Sequence, residues 1–411
     1  MGADRPAAQA GRRVLAGGQA DQALLGNHPR RRDGRLLQRH PGPRRAAPAV
    51  VPRAAGRGRG HRVPGRREAR RHALLAAPRT AGTARRRLGR LVSVPDIGTA
   101  AVPLARVLRG GLVESVHFGH VVVLAPDGSE RLVLGDADAT VWARSSLKPL
   151  QAVAMLRAGL DVDGVDLALV CASHNGEPGH LDVVRGLLAG AGLGPDDLRN
   201  TPDWPLDADS AWRWRAEGHG TEPLTQNCSG KHAGMLATCV AAGWPTADYL
   251  DPEHPLQRAT RDVIAELTGV PVERTTVDGC GAPLFSTTLR GLARSFGHLA
   301  SGGGQEGRVG RTMATHPWHV AGTGRDATRF MEAVPGLVAK DGADGVYAAG
   351  LADGGAVALK IVDGSSRPRP AVLAAALTVA GVDPTLVAAV GLTPVLGHGA
   401  PVGEVLATFG A

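Results

Sequence analysis

The sequence predicts an α+β fold, an antiparallel or mixed sheet flanked by helices, carried by residues 92–411. Three observations lead there. Segments with strand character cluster at both ends of this stretch, and segments with helical periodicity fill the middle. The strands at each end follow one another closely enough to pair as antiparallel neighbours. About 320 residues suffice for one large domain or two fused subdomains, and no internal repeat divides them.

In chain order, LARVLRG (104–110), VESVHFGHVVVL (113–124) and ERLVLGD (130–136) read as a meander turning at Ala125-Pro126-Asp127-Gly128. PLQAVAMLRAGL (149–160) reads as a helix opening near Ser146–Pro149, where proline is tolerated because its missing N–H has no helical partner anyway. DLALVCAS (166–173) is a short apolar run that periodicity leaves open between helix and strand. HLDVVRGLLAGAG (180–192), KHAGMLATCVAAG (231–243) and HPLQRATRDVIAELTG (254–269) read as helices. VERTTV (272–277) reads as a strand and LFSTTLRGLARSF (284–296) as a helix. GLVAK, GVYAAGL and AVALKIVDG read as three closely spaced strands, and AVLAAALTVAG (371–381) as a final helix. Gly302–Gly307 matches a dinucleotide fingerprint by letter, but no strand precedes it, so it reads as a flexible loop.

Charge sets the first part of the chain apart. Residues 1–90 hold 23 arginines and no lysine against four acidic residues, and the first aromatic ring of the chain is Phe118. Such a segment cannot bury enough apolar surface to offset its conformational entropy. Residues 1–91 are therefore expected to be a disordered Arg/Pro/Gly/Ala-rich extension. Their aperiodic composition is that of translated GC-rich DNA upstream of a true start, so the extension is expected not to be native protein. A basic arm for nucleic acid is the competing reading. The remainder is acidic, without a run of about 18 apolar residues and without a signal peptide. A cytoplasmic protein with free or metal-bound thiols at Cys171, Cys228, Cys239 and Cys280 is expected, with neither membrane nor nucleic acid as partner.

Lysine usage carries the chemistry. The chain has only four lysines, Lys148, Lys231, Lys340 and Lys360. Arginine cannot give up its proton in a protein, whereas a desolvated lysine can. In Arg144-Ser145-Ser146-Leu147-Lys148, residues three apart share a helix face, so Ser145 is the serine placed to meet Lys148. A neutral amine there can take the hydroxyl proton as serine attacks a carbonyl. Standing alone, this spacing is common. Cys228-Ser229-Gly230-Lys231-His232 and Asp278-Gly279-Cys280 bring two thiols, an amine and an imidazole into sequence motifs rich in glycine. Two thiolates, an amine or imidazole and a water can complete a zinc shell. Buried free thiols are the plain alternative. Ser173-His174-Asn175-Gly176-Glu177 is a polar turn, either a helix cap or part of a site. Lys360 alternates with Leu359 and Ile361, and so faces away from those core residues.

Taken together, RGGLVESVHFG, RSSLKPLQA, CASHNGEPGH, NCSGKHAGML, DGCGAP, HPWHVAG, AKDGADGVY and ALKIVDG resemble the bacterial asparaginase II family, of the rhizobial inducible type, over about residues 104–370. The resemblance implies a fold akin to serine β-lactamases and glutaminases, and hydrolysis of the side-chain amide of L-asparagine. It implies serine–lysine pairs Ser145 with Lys148 and Ser173 with Lys360. It implies a zinc held by Cys228, Lys231 and Cys280, with Arg144, His232 and Asp278 around the substrate or the metal water. Ser145 is the expected nucleophile. A serine β-lactamase or penicillin-binding-type acyl transferase is the nearest competing enzyme, but its Ser-Asp-Asn and Lys-Thr-Gly companions are absent. A non-catalytic zinc- or nucleic-acid-binding protein is the competitor of another class. A symmetric homodimer is the expected assembly.

Overall fold

The structure is a computed structural model that describes residues 96–410, so the expectation for residues 1–91 lies outside the described residues. The first strands form where the alternation places them. β1 (Val102–Arg109), β2 (Leu112–Leu124) and β3 (Glu130–Leu134) make the expected meander. β2 is long enough to be shared. Its first half pairs with β1 and its second half with β3, while its other edge takes β9 (Ala356–Ile361). The turn at 125–129 is closed by the Asp127 carboxylate, which accepts from both the backbone N–H and the hydroxyl of Ser129.

β4 (Thr140–Trp142) leads into a 3₁₀ turn at Arg144–Leu147 and then α1 (Lys148–Arg157). Pro149 sits in the first turn of α1, and Lys148 before it is helical, so proline does not loosen this turn. The ambiguous run resolves as α2 (Gly164–Val170), and the chain leaves helical geometry beyond Cys171. α3 (Pro178–Gly190), α4 (Ala208–Ala216), α5 (Ser229–Ala242) and α6 (Pro255–Thr268) follow. Of VERTTV only Thr275–Val277 is strand, β5.

LFSTTLRGLARSF is not one helix. Pro283–Thr288 is β6, and α7 (Leu289–Ser301) starts behind it. The β-branched pair Thr287-Thr288 favours the strand, and the Thr288 hydroxyl caps the helix by accepting from Gly291 N–H at 3.0 Å. The Gly302–Gly307 segment is not a loop either. Its second half opens α8 (Gly304–Thr315), whose N-terminal turn packs so tightly that a Cβ at Gly307 would lie 1.9 Å from the Gly302 carbonyl oxygen. α9 (Pro317–Val320) and α10 (Asp326–Ala333) precede the three expected strands, β7 (Val338–Asp341), β8 (Val346–Gly350) and β9. α11 (Arg369–Val379), α12 (Pro384–Gly391), β10 (Pro394–Gly397) and β11 (Ala400–Ala407) close the chain.

The large sheet has the antiparallel order β10-β11-β1-β2-β9-β8-β7 with β3 beside β2, and β4-β6-β5 form a second, small sheet. α7 and α11 both pack on β8 and β9, and every residue of those two strands is buried. Both sheet faces are covered there, which is why these strands read as unbroken apolar runs. The fold class is therefore α+β, as expected. Among the described residues no helix is long and apolar enough to cross a membrane.

One packing contact positions the site. The start of α5 lies directly on the end of α2: a Cβ at Gly230 would meet the Leu169 carbonyl oxygen at 2.5 Å, and one at Gly234 would meet Val170 at 2.7 Å. Only glycine allows this approach. It brings Cys228 and Lys231 beside the chain segment that carries Ser173.

Candidate active site

All four lysines are buried, with side chains running into the interior from α1, α5, β7 and β9. Lys148, 2% exposed, starts α1 and reaches the end of α2. Its Nζ donates to the Ala172 carbonyl at 2.5 Å and lies 3.0 Å from Ser173 Oγ. Ser173 is fixed from both sides of its backbone: its N–H donates to the Val320 carbonyl at 3.0 Å, and its own carbonyl accepts from Arg325 Nη1 at 3.1 Å.

This differs from the pairing read from the sequence. Ser145 and Lys148 are linked by backbone, Lys148 N–H to the Ser145 carbonyl, and not by side chains. The long lysine stem follows the interior toward α2, so its amine meets Ser173, while Lys360 Nζ donates to the Asp344 carbonyl and not to Ser173. Ser146 is fully buried, donating to the Lys340 carbonyl at 3.0 Å. Ser145 and Ser173 nonetheless line one cavity of about 460 Å³, together with Asn227, Arg325, Asp344 and Arg369. Arg144 and Lys360 line an adjoining cavity of about 500 Å³, and Asp344 contributes to both. Burial, helped by the Arg144 charge and opposed by the Asp344 carboxylate, leaves the Lys360 amine below its ordinary pKa.

The second constellation also gathers. Cys228 at the entry of α5, Lys231 one turn inside it and Cys280 in the β5–β6 loop form a buried cluster with Ala282. Lys231 Nζ lies 3.2 Å from Cys280 Sγ. A hydrogen bond from Cys228, and after the cost of burial the Lys231 charge, bring the Cys280 thiol down to about 5. Cys228, offering its proton to Cys280 and buried, is pushed up to about 12. For Lys231 burial opposes the charge, but Cys280, Cys228 and Asp278 outweigh it, and its pKa stands above the ordinary value. Asp278 accepts from Arg144 Nε at 2.7 Å and Gly279 N–H at 2.8 Å, and against burial the Lys231 and Arg144 charges hold it low.

His232 is fully buried. Tyr249 OH accepts from Arg199 N–H at 3.1 Å and shares a hydrogen bond of 2.8 Å with His232 Nδ1; with the phenol as donor, the imidazole proton sits on Nε2. Burial and the Lys231 charge keep this ring neutral, well below its ordinary pKa. Nε2 has no partner among the described residues. Two thiols, an amine and an unpaired imidazole N–H are thus the donors available to a soft dication and its water. Among the described residues no group of three or more His, Cys, Asp or Glu gathers that could hold a metal ion. Cys171 and Cys239 are fully buried in the main core, as expected.

The sequence reading passed over a third group. Asp341 accepts from Lys340 Nζ and Arg325 Nη2, each at 2.7 Å, with Arg369 Nη2 at 3.8 Å. Burial, partly opposed by Asp341, lowers Lys340 to about 8, and despite burial Lys340 and the two arginines hold Asp341 well below the carboxylate range. The signal was present: Lys340 is one of four lysines, inside AKDGADGVY, but its side chain had no partner in sequence to suggest a role.

An α+β protein whose polar cavity is lined by three serines, Ser145, Ser173 and Ser366, and two arginines has the make-up of a hydrolytic enzyme. The family model for L-asparaginase II matches residues 105–407, and the chain belongs to that family, a family of amidohydrolases. No curated protein matches the chain. Among solved structures it is similar to Mglu in its glutamate form, at 17% identity and TM-score 0.35, covering 63% of this chain and 59% of that one. It is also similar to a β-lactamase from Mycobacterium bovis, at 15% identity and TM-score 0.34, covering 60% of this chain and 88% of that one. The chain thus spans well under two thirds of the length of Mglu.

Proposed function

We propose that the chain is an L-asparaginase, releasing aspartate and ammonia from L-asparagine through a serine acyl-enzyme. The observation that carries the reading is the shared cavity of Ser145 and Ser173, with the buried Lys148 amine 3.0 Å from Ser173 Oγ. As a neutral amine Lys148 keeps two N–H donors, one for the Ala172 carbonyl, and a lone pair for a serine proton. Ser145, partly exposed in the cavity, attacks the side-chain amide carbon. Its proton passes to Ser173 Oγ as the Ser173 proton passes to Lys148. Lys148 returns a proton to the departing nitrogen, which leaves as ammonia. Water then cleaves the serine ester, giving aspartate and the free hydroxyl. Lys360 and Arg144 supply positive charge beside this path, and Arg144 is the group for the substrate's α-carboxylate.

Cys228, Lys231 and Cys280 are the residues that would hold a zinc ion, with His232 beside them. Bound zinc supplies Lewis-acid charge next to the pocket. Lys231 ligates only after losing its proton, and the nearby Cys280 thiolate is ready without that cost. A cytoplasmic homodimer completes the reading, with no nucleic acid or membrane as partner.

A second reading has its own support. The hydrogen bond from Lys148 goes to Ser173, which favours Ser173 as the nucleophile. Ammonia release from L-asparagine and L-glutamine by the parent, Ser145→Ala and Ser173→Ala, with mass spectrometry of the trapped acyl-enzyme, separates the two. An adduct on Ser145 in the parent and in Ser173→Ala supports the first reading; an adduct on Ser173 replaces it with the second. A parent that releases no ammonia from either amide sinks both.

A further inference from the structure

L-asparagine carries an α-carboxylate and an α-ammonium on one carbon. The reading above gives the carboxylate a cation and leaves the ammonium without an acceptor. A desolvated ammonium needs a counter-charge, and the cavity of the two serines is otherwise cationic, through Arg325 and Arg369. Two carboxylates line it, Asp341 and Asp344. Asp341 is spent: Lys340 takes one oxygen and Arg325 the other, and its side chain is 8% exposed.

Asp344 is different in each respect. Its side chain is 61% exposed. One oxygen, Oδ2, pairs with Arg144 Nη1, and no hydrogen bond reaches Oδ1 from any described residue. It stands at the tip of the β7–β8 hairpin with φ at 54°, a left-handed conformation that aspartate and asparagine tolerate better than most residues. Its carbonyl accepts from Lys360 Nζ, so the residue is held at both ends. Arg144 in turn uses Nε on Asp278 and Nη1 on Asp344, and its Nη2 donates to no described residue. The ion pair therefore leaves one arginine nitrogen and one carboxylate oxygen without a partner among the described residues. That is the complement of an amino acid's zwitterionic head.

We propose that Asp344 receives the substrate's α-ammonium through Oδ1 while Arg144 Nη2 receives the α-carboxylate, making the site selective for α-amino acids over their des-amino analogues. This assignment rests on the amidohydrolase reading only for the identity of the substrate head group. It explains why the pair stands between the two cavities, and why Asp344 lines both.

The test uses the full chain and needs no turnover. Calorimetry measures binding of L-aspartate and of succinate, which lacks only the amino group, to the parent and to Asp344→Asn. Asparagine keeps the size and the left-handed backbone but removes the charge. The parent is expected to prefer aspartate by about ten- to a hundredfold, the worth of one charged hydrogen bond. Asp344→Asn is expected to lose that preference by weakening aspartate alone. Equal weakening of both ligands makes Asp344 merely structural and overturns the proposal. So does a preference retained in the variant, a parent that never discriminates, or a parent that binds neither. Ammonia assays run alongside keep the two readings apart: intact aspartate preference without amide hydrolysis defeats the proposed activity and leaves the Asp344 assignment standing.

Discussion

Arg144 and Asp344 pair with each other across the mouth of the site from left-handed backbone conformations, φ 51° and 54°, that among the described residues only one other non-glycine residue, His398, adopts. A left-handed residue costs roughly 1–3 kcal/mol and persists only where its surroundings fix it. Here the fixing groups belong to the candidate site. Arg144 is tied to Asp278, which borders the thiol–lysine cluster, and Asp344 to Lys360 through its carbonyl. The pair connects the end of β4, the β7–β8 hairpin and the β5–β6 loop, three segments far apart in sequence.

Arg144→Lys tests the arginine half. A lysine is a point charge and cannot span Asp278 and Asp344 while leaving a free edge for a substrate carboxylate. KM for L-asparagine is expected to rise about tenfold or more, with a smaller change in kcat and a melting temperature near the parent's. An unchanged KM removes Arg144 from substrate binding.

The adjacent serines give opposite expectations. Ser145 has no side-chain hydrogen bond among the described residues and lines the cavity, so Ser145→Ala should abolish ammonia release without loss of stability. Ser146 is fully buried on the Lys340 carbonyl. Ser146→Ala should keep most activity but cost on the order of 1 kcal/mol of stability. Denaturant melts and initial rates on both variants decide this, and equal loss of activity in the two would count against the cavity geometry.

What the sequence made legible follows from what is local. The meander was readable from its turn residues, β7–β9 from short unbroken apolar runs, and the core places of Cys171 and Cys239 from the apolar segments that hold them. LFSTTLRGLARSF misled because an apolar-polar mix of that length fits a helix until Thr288 is seen as a cap. The lysine motifs announced a site through residue choice, and the Cys228–Lys231–Cys280 cluster did form. Which serine a lysine meets was not legible, because Lys148 reaches from α1 to the segment after α2, a tertiary contact between residues 25 apart that no local spacing encodes. The same holds for Lys340 and Asp341, neighbours on β7 whose other partners, Arg325 and Arg369, come from the loop before α10 and the start of α11.

Lys340 predicts a pH signature. Folded, its pKa stands at about 8 against an ordinary 10.5. Between those values the unfolded chain holds a proton that the folded chain has released, so stability rises with pH across that window and gains nothing from this group below it. Lys340→Met has no such proton. The unfolding free energy of the parent relative to Lys340→Met should therefore climb from about pH 8 toward pH 10, at up to about 1.4 kcal/mol per pH unit, as read by denaturant melts. A flat or falling difference would show that Lys340 is not held below its ordinary value.

Metal content tests the remaining cluster. Purified protein should carry about one zinc per chain if Cys228, Lys231 and Cys280 close most of a four-coordinate shell. In the metal-free cluster the Cys280 thiolate keeps Lys231 protonated, its pKa above the ordinary value, so zinc must displace that proton. Affinity should accordingly fall as pH falls, with two protons, one from Lys231 and one from the Cys228 thiol, released for each ion bound. Lys231→Met keeps the buried stem but has no amine, and should lose occupancy by more than it loses melting temperature. Cys239→Ser lies in the core away from the cluster and should keep its zinc. Chelator titrations at pH 6 and 8, read by elemental analysis, cover all three proteins. Full occupancy in Lys231→Met would exclude lysine as a ligand. A parent without zinc at either pH would leave Cys228, Lys231 and Cys280 as a buried hydrogen-bonded cluster, with the unpaired His232 N–H still lacking its acceptor.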